Sequence, residues 1–227
     1  MLVSIIIPAY NSIKFIRNCV YSAVGQEFDR EQFEVIVVDD GSTDDTFGEL
    51  QLIQSMNSDI MQLFKKENGG PASALNVGIR MARGEWIKWL SSDDVLKPNA
   101  LEIFFAEPRE KGCIYYTNYE IIDENGNFKK EFIEPGWPEE KLWEFFFGNG
   151  SSSFIHRSVF DTCGLFDESL PASEDYEFWL RATMLYGVKM RLIPKITLQY
   201  RNHPGQLTHK MRGKYDMEIK QAIKARL

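Results

Sequence analysis

Long apolar runs are missing from this sequence: nothing in its 227 residues approaches the ~20 consecutive apolar side chains that span a bilayer, so no membrane span is expected. Leu2 to Pro8 is too short for the apolar core of a secretory leader, and no charged segment precedes it. Cysteine is scarce as well. Cys19, Cys113 and Cys163 are odd in number and far apart, with no Cys-x-x-Cys or Cys/His spacing, which argues against a disulfide framework or a zinc site. Buried free thiols in a reducing compartment, the cytoplasm, are the expectation. Basic side chains are outnumbered, 26 against 33 acidic ones, for a formal net charge of -7. Such a surface repels phosphate backbones, so nucleic acid is not an expected partner. Gly-x-Gly-x-x-Gly and the Gly-Lys-Ser/Thr of a P-loop are absent too, which disfavours dinucleotide cofactors and P-loop chemistry. There is no internal repeat and no low-complexity stretch.

What is present is a chain 44% hydrophobic and 13% aromatic, enough to bury a real core as one domain or two fused subdomains. Apolar, β-branched runs at Leu2 to Pro8, Phe33 to Val38, Ile60 to Phe64 and Glu85 to Leu90 alternate with helical patterns. Asn11 or Ser12 is placed to cap the first helix and Ser42 or Thr43 the second, while Pro71 stands near the start of the third. The alternation predicts an α/β fold with a mainly parallel sheet covered by helices. After about Pro108 the rhythm becomes mixed α+β. A strand is expected over Cys113 to Ile122, a hairpin turn at Glu124-Asn125-Gly126-Asn127, a helix from Pro138, a strand at Ser153 to Ile155, a helix near Glu174 and a strand pair around Pro194. The reading divides the chain into 1–110, 111–208 and a charged helical tail, 209–227, with one sheet shared by the first two. Phe104-Phe105 and Phe145-Phe146-Phe147 are read as core in preference to a bilayer contact.

In doubly wound sheets ligands gather at the carboxyl ends of the strands. Here those ends carry Pro8-Ala9-Tyr10-Asn11, Asp39-Asp40-Gly41-Ser42 and Ser91-Ser92-Asp93-Asp94. A single acid pair is adequately explained as turn and cap chemistry. Two pairs on nearby strand ends bring up to four carboxylates together, an arrangement that repels itself unless a cation offsets it. Hard oxygen ligands suit Mg²⁺ or Mn²⁺, which bind one or two carboxylates together with substrate phosphates.

The ordered set Val3 to Asn11, Val35 to Asp44, Asn68-Gly69-Gly70 with Ala74, Asn76 and Gly78, Asp93-Asp94, Gly164 to Glu168, Glu174-Asp175 with Arg181, and Tyr200 to His203 resembles the GT-A-fold family 2 glycosyltransferases. The likeness covers residues 2 to 208. It implies an inverting transferase that moves a sugar from a nucleotide-diphospho-sugar, preferably UDP-linked, to an acceptor hydroxyl, with Mn²⁺ or Mg²⁺ as cofactor. By the same resemblance Pro8, Ala9, Tyr10, Asp40 and Asn76 belong to the nucleotide site and Asp39 supports its loop. Asp93 and Asp94 contact the ribose and the metal-bound diphosphate. Two positions depart from the pattern: Ser91 stands where the aspartate motif usually begins with Asp, which leaves open whether Asp93 or Asp94 holds the metal, and Leu75 stands where many members have Arg.

Glu174-Asp175 opens a helical pattern, and alone would be read as acids offsetting a helix dipole. Beside the other motifs, Asp175 becomes the expected general base and Glu174 its orienting neighbour. His203 is expected as a third metal ligand, set against an ordinary structural histidine. Trp137, between Gly136 and Pro138, is the acceptor-stacking candidate. Arg201 is expected to meet acceptor or phosphate, or else the helix acids. The expected partners are the donor and a glycan or lipid-linked acceptor, at the inner face of the membrane in the latter case. The competing readings are a sugar-nucleotide nucleotidyltransferase, disfavoured by the lack of glycines in Pro8 to Arg17, and a non-catalytic nucleotide-sugar-binding module.

Overall fold

The computed structural model describes residues 1–207, 211 and 213–227. The four apolar runs form β1 (Val3–Ala9), β2 (Phe33–Asp39), β3 (Met61–Lys65) and β4 (Trp86–Trp89). They pair in the order β3-β2-β1-β4, all parallel, with Ile5 between Val35 and Lys88 and Ile6 between Ile36 and Trp89. Between them run α1 (Ile16–Val24), α2 (Thr46–Met56) and α3 (Pro71–Met81). Successive side chains leave a strand on opposite faces, so position along the strand decides which layer each residue joins. Ile5, Ile7, Val35 and Val37 pack with Cys19, Val20, Leu50 and Ile53, whereas Ile6, Ile36 and Val38 pack with Leu75 and Ile79. Helix α3 lies close on β1 because Gly78 has no side chain: a Cβ there would stand 2.3 Å from Ile6 Cγ2.

The second half extends the same sheet. It contributes β5 (Val95–Leu96), α4 (Ala100–Phe105), β6 (Ile114–Ile122), β7 (Phe128–Phe132), β8 (Phe154–His156), α5 (Arg157–Cys163), α6 (Glu174–Leu180), β9 (Met190–Arg201) and α7 (Asp216–Lys224). Strand β8 lies antiparallel between β4 and β6, β6 runs parallel to β9, β5 pairs with β9, and β7 folds back on β6. Among the described residues, one nine-stranded sheet therefore carries both halves. The β6–β7 hairpin turns as expected: Gly126 takes φ 89°, and Asp123 Oδ1 accepts the N–H groups of Asn125 and Asn127 at 3.0 and 2.9 Å.

Several local expectations are corrected. The strand pair around Pro194 is a single strand, β9, whose register against β6 jumps from Ile193 to Ile196. Pro194 has no N–H for a ladder, so it is accommodated in the bulge. The helix from Pro138 is one 3₁₀ turn, Glu139–Trp143, and α6 passes into a π-helical turn, Arg181–Leu185. Neither Asn11 nor Ser12 caps α1 with its side chain. Asn11 Oδ1 instead accepts Thr43 N–H at 2.8 Å, tying the β1 loop to the β2 loop. At α2 it is Asp44, not Ser42 or Thr43, that accepts the Thr46 N–H, at 3.0 Å. The tail contains α7, which buries Ile219 and Ile223. The 208/209 division of the sequence reading lies outside the described residues. Among the described residues, no helix is long and apolar enough to cross a membrane. The three cysteines are buried and free.

Candidate active site

Because β1, β2 and β4 are parallel neighbours, their carboxyl ends open on one rim of the sheet. At the end of β1, Ala9 is buried, Pro8 half-buried and Tyr10 48% exposed. At the end of β2, Asp39 is fully buried, with Oδ2 accepting Ser42 N–H at 3.3 Å and Oδ1 without a partner. Asp40 is also buried. Its carboxylate accepts Lys66 Nζ at 2.8 Å and the N–H groups of Gly69 and Gly70 at 3.0 and 2.8 Å, which builds the loop into α3 and places a negative charge at that helix's N-terminus. Asp40→Ala is therefore expected to lower stability by about 1–2 kcal/mol, because it removes a charged acceptor from the partly exposed Lys66 ammonium and from two backbone N–H groups. Urea unfolding measures this, and an unchanged midpoint would contradict the loop-building role.

At the end of β4 the two aspartates have different surroundings. Asp94 is buried, and its Oδ1 accepts Arg201 N–H at 2.9 Å. Burial, reinforced by the neighbouring Asp93 charge, pushes its pKa well above the usual carboxylate range. Asp93 is partly exposed, and its Oδ2 lies 3.0 Å from His203 Nε2. Phe15 packs against the His203 ring, centroids 4.6 Å apart, and under the Arg201 guanidinium.

The four carboxylates thus do not converge. Asp40 is spent on Lys66 and backbone, and Asp94 turns inward. Among the described residues, no group of three or more His, Cys, Asp or Glu side chains is arranged to hold a metal ion, which corrects the Asp93, Asp94, His203 ligand set. Two of its members do stand together. The Asp93 carboxylate and His203 imidazole form a partly exposed oxygen-and-nitrogen pair, and this fits a cation that takes one or two protein ligands and completes its shell from phosphate and water.

The acids of α6 stand near the turn that precedes β8. Ser173 enters the helix in the left-handed region at φ 65°. Glu174 is buried and Asp175 half-buried. Asp175 Oδ1 accepts Tyr176 N–H at 2.8 Å, and the Gly150 N–H faces the same carboxylate. Burial raises both acids above their ordinary range, and Asp175's charge pushes Glu174 further up. Beside them is an aromatic surface. Trp137, 37% exposed, rests on Phe145, and Phe146 meets Tyr176 with centroids 5.7 Å apart. Phe104 and Phe147 are core, as expected, but Phe145 and Phe146 are exposed.

Two more expectations change. Asn76 contacts no open site: its amide donates to Phe166 O and Glu168 Oε1 at 2.9 and 2.8 Å and accepts Phe166 N–H at 3.0 Å, bracing α3 to the 166–168 loop. Arg201 is buried and donates to the backbone carbonyls of Asp93, Asp123 and Glu124, so it locks loops together and reaches neither an acceptor nor the helix acids. The residues missed by the sequence reading are Lys66, Lys88 and Ser151. An isolated lysine in the apolar run EWIKWL and the polar run NGSSS were the available signals.

The sequence model of Glycosyl transferase family 2 matches residues 4–165. A glycosyltransferase of Rickettsia felis is 38% identical over 191 residues, covering 79% of this chain and 31% of its own length. The chain thus spans about a third of that relative. Chondroitin synthase of Escherichia coli is 37% identical over 185 residues, covering 79% of this chain and 26% of its own. Among solved structures, S. aureus TarS in complex with UDP-GlcNAc superposes with a TM-score of 0.77 at 22% identity, covering 99% of this chain and 66% of that one. The mannosyltransferase PcManGT from Pyrobaculum calidifontis, in complex with GDP-Man and Mn²⁺, gives 0.73 at 20% identity, covering 99% and 64%.

Proposed function

Because the chain belongs to glycosyl transferase family 2 and carries the GT-A fold, we propose that it is an inverting, metal-assisted transferase that moves a sugar from a UDP-linked donor to an acceptor hydroxyl. The observation that carries this reading is the partly exposed Asp93–His203 pair at the strand ends, together with the raised Asp175 carboxylate at the start of α6. In the proposal, Pro8, Ala9 and Tyr10 form the nucleotide side, with the exposed Tyr10 ring available to the base and the buried Asp39 and Asp40 shaping the loop around it. The UDP-GlcNAc complex of TarS supports the choice of nucleotide.

Asp93 and His203 would hold Mn²⁺ or Mg²⁺, with Asp94 supporting the loop from behind. When bound, such an ion neutralises the charge that builds on a departing diphosphate. Asp175 accepts the proton of the acceptor hydroxyl as that oxygen attacks the anomeric carbon, and Glu174 holds it in place. Trp137, Phe145 and Phe146 offer faces on which a glycan or the sugar of a lipid-linked acceptor can stack. A cytoplasmic site at the inner membrane face is consistent with such an acceptor and with three free, buried thiols.

The metal role has a direct test. UDP at about 100 times its dissociation constant is expected to stabilise the fold by roughly 2.7 kcal/mol in Mn²⁺, and far less in chelator. Asp93→Asn should shrink the metal-dependent part. Equal stabilisation by UDP with and without metal would remove the ion from the donor site, and GDP and TDP in parallel assign the base.

A further inference from the structure

Between Phe147 and β8 the chain makes a short 3₁₀ turn, Gly150–Ser152, that touches both sides of the candidate site. On the β4 side, Ser151 Oγ accepts Ser91 N–H at 2.9 Å and donates to Ser91 Oγ at 2.7 Å. Lys88 is fully buried. Its Nζ donates to Ser151 O and lies over the Phe154 ring, 4.8 Å from the centroid. A fully buried ammonium in a central strand is costly unless it is paired, and here, among the described residues, it is met by this turn's carbonyl and by the charge of the Asp94 carboxylate. Gly150 lies flat on Trp89: a Cβ would stand 2.5 Å from that ring. On the α6 side, Trp179 Nε1 donates to Gly148 O at 2.7 Å, and the Gly150 N–H faces the Asp175 carboxylate. Asn149 closes the turn by accepting Ser151 N–H at 2.8 Å.

We propose that this turn is a brace that sets the Asp175 carboxylate relative to the Ser91–Asp94 loop, with Ser151 and Lys88 as positioning residues acting through the Gly150 N–H. The inference rests on the assignment of Asp175 as base, but its geometry does not require turnover. The β4 residues fasten the turn from one side and Trp179 fastens it from the other, so the N–H that favours the ionised carboxylate is fixed in place. Loosening the β4 attachments lets that N–H withdraw. The charged group facing Asp175 from another element is then Asp216 of α7, which disfavours its ionisation, while Glu174 beside it is held protonated by burial and by Asp175's own charge.

The test reads Asp175 directly. With the aspartate carboxyl carbons labelled, NMR titration of the full chain from about pH 4 to 9 follows its ionisation. Ser151→Ala adds no charge and is expected to raise the Asp175 midpoint by about half a pH unit or more, moving the acid limb of kcat/KM the same way. It should lower kcat about tenfold or more through misplacement. Lys88→Met, a second break in the same attachment, should act in the same direction. Parent midpoints in both variants would overturn the brace, whatever their loss of stability. If the midpoints move although the parent transfers no sugar, the brace stands and the proposed activity falls.

Discussion

Asp175→Asn is expected to lower sugar transfer by about 10²–10⁴ while metal-dependent UDP binding stays intact. Asparagine keeps an oxygen for the Tyr176 N–H, which the Asp175 carboxylate accepts at 2.8 Å, but it cannot take up a proton. A purely helix-capping Asp175 would be replaced by Asn almost without loss, so transfer at the parent rate would remove it from the mechanism. The pH dependence carries a second mark. A base works only when ionised, and burial holds this one above the ordinary carboxylate range, so the acid limb of the rate profile should lie above that range too. Stability runs the other way. Asp175 and Glu174 bind protons more tightly folded than unfolded, so their contribution is fully present at low pH. It is lost as pH rises from the ordinary carboxylate range through the raised folded values. Asp175→Asn should accordingly gain stability near neutral pH, the familiar cost of keeping a charged group in a poorly solvated site.

Arg181→Met is expected to destabilise the fold by about 3–5 kcal/mol, with a melting point lower by roughly 6–20 °C for a chain of this size. The Arg181 guanidinium meets Glu177 twice, at 2.7 and 2.9 Å, in a pair whose side chains are only 7% and 9% exposed. It also donates to Cys163 O and Leu165 O, holding the chain after α5 against α6. Methionine fills part of the volume but strands the Glu177 charge. Adding Glu177→Leu should restore part of the loss, because two apolar side chains tolerate a buried site better than one unpaired ion. The two orphaned carbonyls set the remainder. Urea unfolding of the two single variants and the double variant measures the coupling, and purely additive losses would mean the pair contributes nothing as a pair.

The parallel half of the fold was legible because β1 and β2 are buried on both faces and therefore read as continuous apolar runs. The second half was less legible because tertiary context decides it. Strand β8 has three residues and exists only between two longer neighbours, and Pro194 reads as a break until a bulge absorbs it. At the site, sequence identified which strand ends matter but not which way each side chain turns. Asp93 and Asp94 are adjacent, yet one meets His203 near solvent and the other is buried under Arg201 N–H. Asn76 and Arg201 have chemistry suited to a substrate, and each is spent on backbone groups far away in sequence. Lys88 gave little warning, since one lysine in a strand is usually solvated.

The insertion of β8 between β4 and β6 bears on how such a transferase could be given a new acceptor. The strand next to the parallel half of the sheet is supplied by the later part of the chain. Grafting only a foreign acceptor loop would keep that ladder, whereas exchanging everything after residue 110 would require a new β8 to match Trp86, Ile87 and Lys88 of β4 in register. A mismatch by one residue would turn every β8 side chain to the wrong face. An unmatched β4 would be an apolar strand with open hydrogen-bonding groups, the kind of edge through which chains aggregate. Chimeras should therefore be cut on either side of β8 and leave the strand itself native, so that new specificity is confined to residues the sheet does not use.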